Sequence, residues 1–295
     1  MPLDYRKLKD WREPPLRHAY RAADTQLYAL GVGLGANPMD ASQLAFVNET
    51  RLRALPTMAT VLASPFGWLY RADAGITPAK CVHGEQGLRM HRPLAATGEL
   101  IGELEITDIV DKGRDKGAIV YFERRLRDAV SDELVCTLTA SMFCRADGGY
   151  DGPPGQVHAV QALPARAPDA VCDIETLPQQ ALLFRLNGDF NPLHADPATA
   201  RAAGFDRPVL HGLCTYGIVG HALLRTRADY DPARLASMHA RFSAPVFPGD
   251  RITTEIWEEG GAVLFRARVA TRNAVVLDNG RAELLRGLER RTRAG

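Results

Sequence analysis

Cysteine is sparse and unpatterned in this chain. The five cysteines, Cys81, Cys136, Cys144, Cys172 and Cys214, form no CxxC pair and are odd in number. That argues against a disulfide framework and leaves no zinc-type ligand spacing, so no metal is expected. A reducing cytoplasm is the expected compartment, with each cysteine a small core residue, including Cys214 in its apolar run. An excess of one charge is missing too. The formal net charge is +1, which denies the protein the bulk basic surface that nucleic-acid binding uses. The arginine-rich stretch from Arg281 to Arg293 is a local exception and reads as a solvated terminal extension. No stretch approaches the ~18 uninterrupted apolar residues of a membrane span. The charged N-terminal segment, MPLDYRKLKDWREPP, lacks the apolar core of a signal peptide. What is present is a globular composition, 46% hydrophobic and 24% charged over 295 residues. That is too apolar for disorder and long enough for two domains.

A weak internal repeat organises the chain. In the first half Arg92-Pro93-Leu94 leads through Gly98-Glu99 into three segments, Leu100–Val110, Gly117–Asp128 and Glu133–Arg145. In the second, Ala244-Pro245-Val246 leads through Gly249-Asp250 into Arg251–Glu258, Ala262–Thr271 and Ala274–Leu285. Each segment alternates apolar and polar residues, the period of a half-buried strand. Asp111-Lys112-Gly113 and Glu259-Gly260-Gly261 break the runs at matching places. One apolar helix is expected ahead of each set of strands: Thr57–Ala72 in the first half, Leu213–Leu224 in the second. Strands grouped after a helix predict an α+β fold with antiparallel sheets, each wrapped around one helix. The Gly/Pro-rich stretch 148–168 reads as a linker between an N-terminal unit, 1–147, and a C-terminal unit, 169–295. A short strand at Val171–Glu175 and a helix from Thr176 to about Leu186 are expected to open the second unit.

The chemistry concentrates after that helix. Asn187-Gly188-Asp189-Phe190-Asn191-Pro192-Leu193-His194 sets a carboxylate and an imidazole five residues apart, on a segment unsuited to helix or strand. Gly188 relaxes the backbone before Asp189, and Pro192 biases Asn191 away from helical geometry. Asp196-Pro197 then reads as a helix N-cap followed by proline at the first position. The same residue types also make plain turns, and His194 could be a satisfied structural histidine. Further on, Leu210-His211-Gly212-Leu213 puts a glycine at the start of the apolar helix. Unpaired N–H groups and the helix dipole there favour negative charge. An acid/base pair followed by a glycine-led helix N-terminus is what polarising a carbonyl requires.

These residues resemble a known family. GDFNPLH, the helix behind it and LHGLCTYG are similar to the signature of the MaoC-like, (R)-specific 2-enoyl-CoA hydratases. The first half resembles their two-domain type in Leu27–Gly33, in His83-Gly84-Glu85-Gln86 and in Asp111-Lys112-Gly113. The run from Arg241 to Asp250 resembles it as well. The resemblance covers nearly the whole chain and extends to the type 2 hydratase domain of peroxisomal multifunctional enzymes.

The resemblance implies a double hot dog fold: two repeats, each a long helix wrapped by an antiparallel sheet. The second repeat would be catalytic, and the first, which has no counterpart of GDFNPLH, would house the acyl chain. It implies Asp189 and His194 as the catalytic pair and Gly212 as the oxyanion-hole donor. It also implies Asn191 as the residue that sets the loop, and His83, Gly84, Lys112 and Phe242 as contacts to the CoA thioester. Gly84 and Lys112 would equally suit turns, Phe242 would suit the core, and Glu85 is the more structural residue of its run. Lys112, Arg207 and Arg241 are candidates to meet CoA phosphates. The implied reaction, reversible hydration of a trans-2-enoyl-CoA to the (3R)-3-hydroxyacyl-CoA, needs no cofactor. A carrier-protein dehydratase, a thioesterase and a non-catalytic acyl-CoA-binding module are the competing readings. A homodimer is possible.

Overall fold

Alternating burial dictates the sheet. Along Gly98–Asp111 the buried side is carried by Leu100, Leu104 and Ile106, with charged residues between them on the other face. In chain order the strands are β1 (Leu16–Tyr20), β2 (Cys81–Met90), β3 (Gly98–Asp111), β4 (Ala118–Asp128) and β5 (Leu134–Cys144). They continue as β6 (Ala170–Glu175), β7 (Leu235–Phe242), β8 (Arg251–Glu259), β9 (Ala262–Val269) and β10 (Ala274–Leu284). The computed structural model describes residues 3–63, 66–150, 152–153, 155–156 and 162–285.

The ten strands among the described residues join one antiparallel sheet in the order β1-β3-β4-β5-β2-β7-β10-β9-β8-β6. Counted from either edge inward the two halves match, β1 with β6, β3 with β8, and so to β2 and β7. Those two strands pair at the centre, with Glu85–Arg89 opposite Ser237–Arg241. The fold is the α+β double hot dog, its two repeats fused edge to edge.

The helices are α1 (Tyr5–Asp10), α2 (Ala22–Gly31), α3 (Ala41–Leu44), α4 (Trp68–Arg71), α5 (Gln180–Phe184), α6 (Pro197–Ala202) and α7 (Gly212–Arg227). Every residue of α7 from Leu213 to Leu224 is buried, the mark of a helix running through the core rather than over it. Each fully buried leucine there, such as Leu223, contributes about 1.5–3 kcal/mol. It extends the expected helix by one residue at the front and three at the back, where Arg225 and Arg227 suit the negative end of the dipole. Two glycines let the first repeat come close. A Cβ on Gly217 would stand 2.6 Å from Tyr28 and Val32, and one on Gly220 would stand 2.6 Å from Thr57.

The first repeat departs from expectation. No helix spans Thr57–Ala72. Residues Pro56–Val61 form a 3-10 helix, Ala63 turns left-handed at φ 57°, and only α4 resumes helical geometry. Arg124 of β4 explains the stop. Its buried guanidinium donates to the carbonyls of Leu62, Ala59 and Thr60, so the chain's terminal carbonyls are satisfied without further helix. The apolar residues Met58, Val61 and Leu62 still reach the core. The helix-like spacing that carries them is shared between two short pieces.

Both ends of the 148–168 connection are fastened. Gly149 and Tyr150 donate N–H to the Asp111 carboxylate at the β3–β4 turn. Arg166 donates to the Glu258 carbonyl and accepts from the Trp257 indole on β8. Positions 151, 154 and 157–161 of that stretch lie outside the described residues, as do 286–293 of the arginine-rich tail; Arg281 itself is in β10.

Candidate active site

The Asp189 loop is built from its own polar groups. Gly188 ends a 3-10 turn at Arg185–Asn187 with φ 107°, a left-handed conformation that an L side chain resists. The Asp189 carboxylate accepts the N–H of Asn191, and the Asn191 side chain accepts the N–H of Leu193. Asn191 thereby caps the short turn Pro192–His194, and Asp196 caps α6 through the N–H groups of Ala198 and Thr199.

His194 is held by one hydrogen bond that fixes its chemistry. Its Nδ1 lies 2.9 Å from the Val209 carbonyl. A carbonyl can only accept, so Nδ1 carries the hydrogen and Nε2 presents a lone pair. Burial holds the imidazole below its ordinary pKa, against the raising influence of Asp189, so the free base is the neutral-pH form. Asp189, His194 and His211 bring a carboxylate oxygen and two ring nitrogens within 4.8 Å of one another.

His211 was not singled out by the sequence. It is the N-cap residue of α7, it is buried, and its Nε2–H donates to the Asp189 carbonyl at 3.1 Å. Its ring stacks on that of His194, with centroids 3.7 Å apart and planes 28° from parallel. Burial pushes its pKa down to about 3, with the neighbouring His194 adding to the effect. Stacked imidazoles direct their lone pairs side by side rather than toward a common point, a poor arrangement for one tetrahedral cation. The only sequence signal for His211 was its position beside a glycine at a helix start.

Gly212 is the first residue of α7, where N–H groups have no intrahelical acceptor. A Cβ there would meet the Phe242 ring at 3.1 Å, so the glycine keeps ring and backbone in contact. Phe242 packs against His83, with ring centroids 4.6 Å apart and planes tilted by 49°. His83 donates from Nε2 to the Glu85 carbonyl, and burial lowers its pKa to about 4. Gly84 sits at a break in register between His83 and Glu85, where a Cβ would strike the Ser141 hydroxyl at 2.8 Å. Such a bulge re-aims the neighbouring side chain.

These groups converge on a cavity of about 730 Å³. The second repeat contributes Asp189, Asn191, His194, Gly212 and Phe242; the first contributes Val61, Phe66, Cys81, His83 and Met142. Val61, at the end of the 3-10 helix, and Phe66 beyond it carry the first repeat's broken helical segment into the wall. Four expected residues stand apart from this lining. Gly84 shapes the bulge behind it, Lys112 is exposed at the β3–β4 turn with its N–H on Gly117, and Arg207 lies over the Phe247 ring. Arg241 is engaged by Glu85, whose Oε1 accepts from Nη2 at 2.8 Å and from Nε at 3.1 Å, across the β2–β7 seam. Arg145, just after β5, also lines the cavity, and no sequence motif pointed to it.

Residues 159–279 match the model of the MaoC like domain, and residues 18–146 match that of the MFE-2 hydratase 2 N-terminal domain. The 3-hydroxyacyl-thioester dehydratase Y of Mycobacterium tuberculosis is 41% identical, over 92% of this chain and 96% of its own. The chain belongs to the MaoC-like hydratase/dehydratase family. As a member of that family it is a hydro-lyase. The peroxisomal enoyl-CoA hydratase 2 of Arabidopsis thaliana is 37% identical over 90% of each chain. A crystal structure of a MaoC-like dehydratase from Phytophthora capsici superposes with a TM-score of 0.84 at 33% identity. It covers 96% of this chain and 99% of the other. Among the described residues, no helix is long and apolar enough to cross a membrane.

Proposed function

We propose that this hydro-lyase is an (R)-specific 2-enoyl-CoA hydratase. It adds water reversibly across a trans-2-enoyl thioester to give the (3R)-3-hydroxyacyl-CoA. The observation that carries the reading is the bond from His194 Nδ1 to the Val209 carbonyl. It leaves Nε2 as an unprotonated base beside the Asp189 carboxylate, in a cavity large enough for an acyl thioester.

In this scheme Asp189 and His194 hold one water. Its oxygen bonds to C3 as the pair removes a proton, and the C2–C3 π electrons pass to the thioester as an enolate. The Gly212 N–H, at the positive end of α7, faces the charge that develops on the oxygen. Such a donor contributes roughly 3–4 kcal/mol. A proton delivered to C2 by the pair or the water completes the addition. Val61, Phe66 and Met142 of the first repeat house the acyl chain. The division into a housing unit, 1–147, and a catalytic unit, 169–295, belongs to the same proposal. His83 and Phe242 flank the thioester, and Arg145 is the charged group nearest to hand for the CoA portion.

The deciding experiment is a hydration panel from crotonyl-CoA to hexadecenoyl-CoA with the product's chirality determined. Formation of (3S) product, or no loss of enoyl absorbance on any chain, would refute it. The Mycobacterium relative is named a thioester dehydratase, which favours a second reading: dehydration of carrier-protein thioesters. Turnover of CoA and carrier-protein forms of one acyl chain separates the two. We place the protein in the cytoplasm on its free cysteines, and a homodimer would pair two such double repeats.

A further inference from the structure

Two cysteines unrelated to the proposed reaction meet in the cavity wall. Cys81, the first residue of β2, and Cys144, the last of β5, are direct cross-strand partners. Their sulfurs lie 3.3 Å apart. Register decides what kind of pair they form. The Arg145 N–H donates to the Lys80 carbonyl, one residue outside the pair on each strand. That is the ladder bond that frames a non-hydrogen-bonded pair, whose α-carbons approach to about 4.5 Å. A disulfide accepts α-carbon separations of roughly 4.4–6.8 Å, so the backbone already stands at a bridging distance.

The surroundings hold the thiols together. The Thr77 N–H and hydroxyl both donate to the Asp147 carboxylate, at 3.1 and 2.8 Å, which fastens the turn before Cys81 to the end of β5. The Cys81 thiol is also within 3.4 Å of the Thr77 carbonyl. Asp147 completes a cluster with the two sulfurs, its oxygens each accepting one hydrogen bond from Thr77. The two sulfurs differ in access. Cys81 is half-buried and lines the cavity two residues before His83, whereas Cys144 is fully buried behind it. The hydrogen bond shared with Cys81, together with burial, holds the Cys144 thiol well above its usual range. Cys81 is therefore the sulfur an oxidant meets first.

We propose that Cys81 and Cys144 form a peroxide-oxidisable dithiol that closes to a reversible disulfide in the wall of the substrate cavity. The Cys81 thiolate attacks one oxygen of hydrogen peroxide. An S–O bond forms, the O–O bond breaks, and hydroxide leaves to take up a proton as water. The Cys144 sulfur then attacks the Cys81 sulfenic acid. The S–S bond forms, the S–O bond breaks, and a second water carries away the Cys144 proton. Two thiols are oxidised by two electrons, and one peroxide is reduced to two waters.

The test uses the whole protein with hydrogen peroxide as the probe, a quench in denaturant with iodoacetamide, and peptide mapping. The expected result is a fall from five free thiols to three, a Cys81–Cys144 cross-link, and recovery of all five with dithiothreitol. Cys144→Ala should instead leave Cys81 as a sulfenic acid captured by dimedone. Cys81→Ser, whose changed residue lies at the cavity rather than in the core, should lose the cross-link and leave Cys144 reduced. A cross-link elsewhere, five unreacted thiols, or Cys81 driven to sulfinic acid while Cys144 stays reduced would each overturn the proposal. The thiol count needs no substrate, so it succeeds or fails separately from the hydratase reading. On that reading, the oxidised protein should show a changed KM for hexadecenoyl-CoA that dithiothreitol reverses. An unchanged KM would confine the disulfide to a chemical role without influence on the cavity, against the location inferred here.

Discussion

The imidazole of His211 lies flat on that of His194, ring centres 3.7 Å apart, and donates its Nε2–H to the backbone of Asp189. One buried side chain thus touches the base and the loop that carries its carboxylate partner, while its own backbone begins the helix led by Gly212.

That geometry makes His211 a positioning residue. His211→Phe keeps a stacked ring but removes the donor to Asp189, and His211→Ala removes both. We expect kcat to fall about 10- to 100-fold with little change in KM, the scale of small misplacements in an active site. His211→Ala should also displace the acidic limb of the pH–rate profile, because His194 loses its neighbour. A purely structural His211 would lower thermal stability in both variants yet leave that limb where it was.

Asp189→Asn and His194→Gln should each reduce hydration of crotonyl-CoA by about 10²- to 10⁴-fold, the usual weight of a positioned acid or base. Both side chains stand at the cavity rather than in the core, so melting temperatures should stay near wild type. Near wild-type turnover in either variant would end their assignment as the catalytic pair.

Acid should act twice. His194 works as a free base and burial lowers its pKa from 6.5. Activity should therefore be level through neutrality and fall only as the pH drops through an apparent value below 6.5. That value belongs to the coupled Asp189–His194 pair. An acidic limb centred above 7 would contradict this. Stability follows the same sign. Above pH 6.5 the buried His211 and His221 are neutral whether folded or unfolded and contribute nothing. Below it the unfolded chain takes up protons that the folded chain refuses until about 3 and about 4 respectively. Stability should thus decline on acidification from 6.5 toward 4, by roughly 1.4 kcal/mol per pH unit for each group. Chemical denaturation across that range reads the slope.

Arg124→Met should destabilise the first repeat by about 3 kcal/mol. It strips the donor from buried carbonyls of Ala59, Thr60 and Leu62 while leaving an apolar stem in place. The denaturation midpoint measures it. An unchanged midpoint would mean that the end of the 3-10 helix is satisfied in some other way.

Much of the fold was legible because period-2 alternation survives wherever one sheet face is dry. Seven strands, β3 to β6 and β8 to β10, fall within a few residues of their expected limits at both ends. The central pair was not legible. β2 and β7 place Glu85, Gln86, His239 and Arg241 in the middle of the sheet, where Glu85 and Arg241 pair across the seam and Gln86 donates to the Gly87 and Thr139 carbonyls. Polar residues satisfied by a distant strand look like a loop in one dimension. The missing helix was hidden for the converse reason: Met58, Val61 and Leu62 keep helical spacing although Ala63 turns the chain. At the site, the Asp189 loop announced itself through Gly188 and Pro192. His211 did not, because a buried histidine acquires its meaning only from the ring stacked against it.

The broken helix of the first repeat has one more consequence. Two equal repeats would offer a pair of shallow sites, each blocked by the other's central helix. On the proposed division of labour, the first copy carries no chemistry of its own, and its interior deepens the site of its twin. Substitutions along Pro56–Val61 should therefore tune which substrates fit without touching the groups that react with them. On that reading, reach and reactivity are encoded in separate halves of one chain.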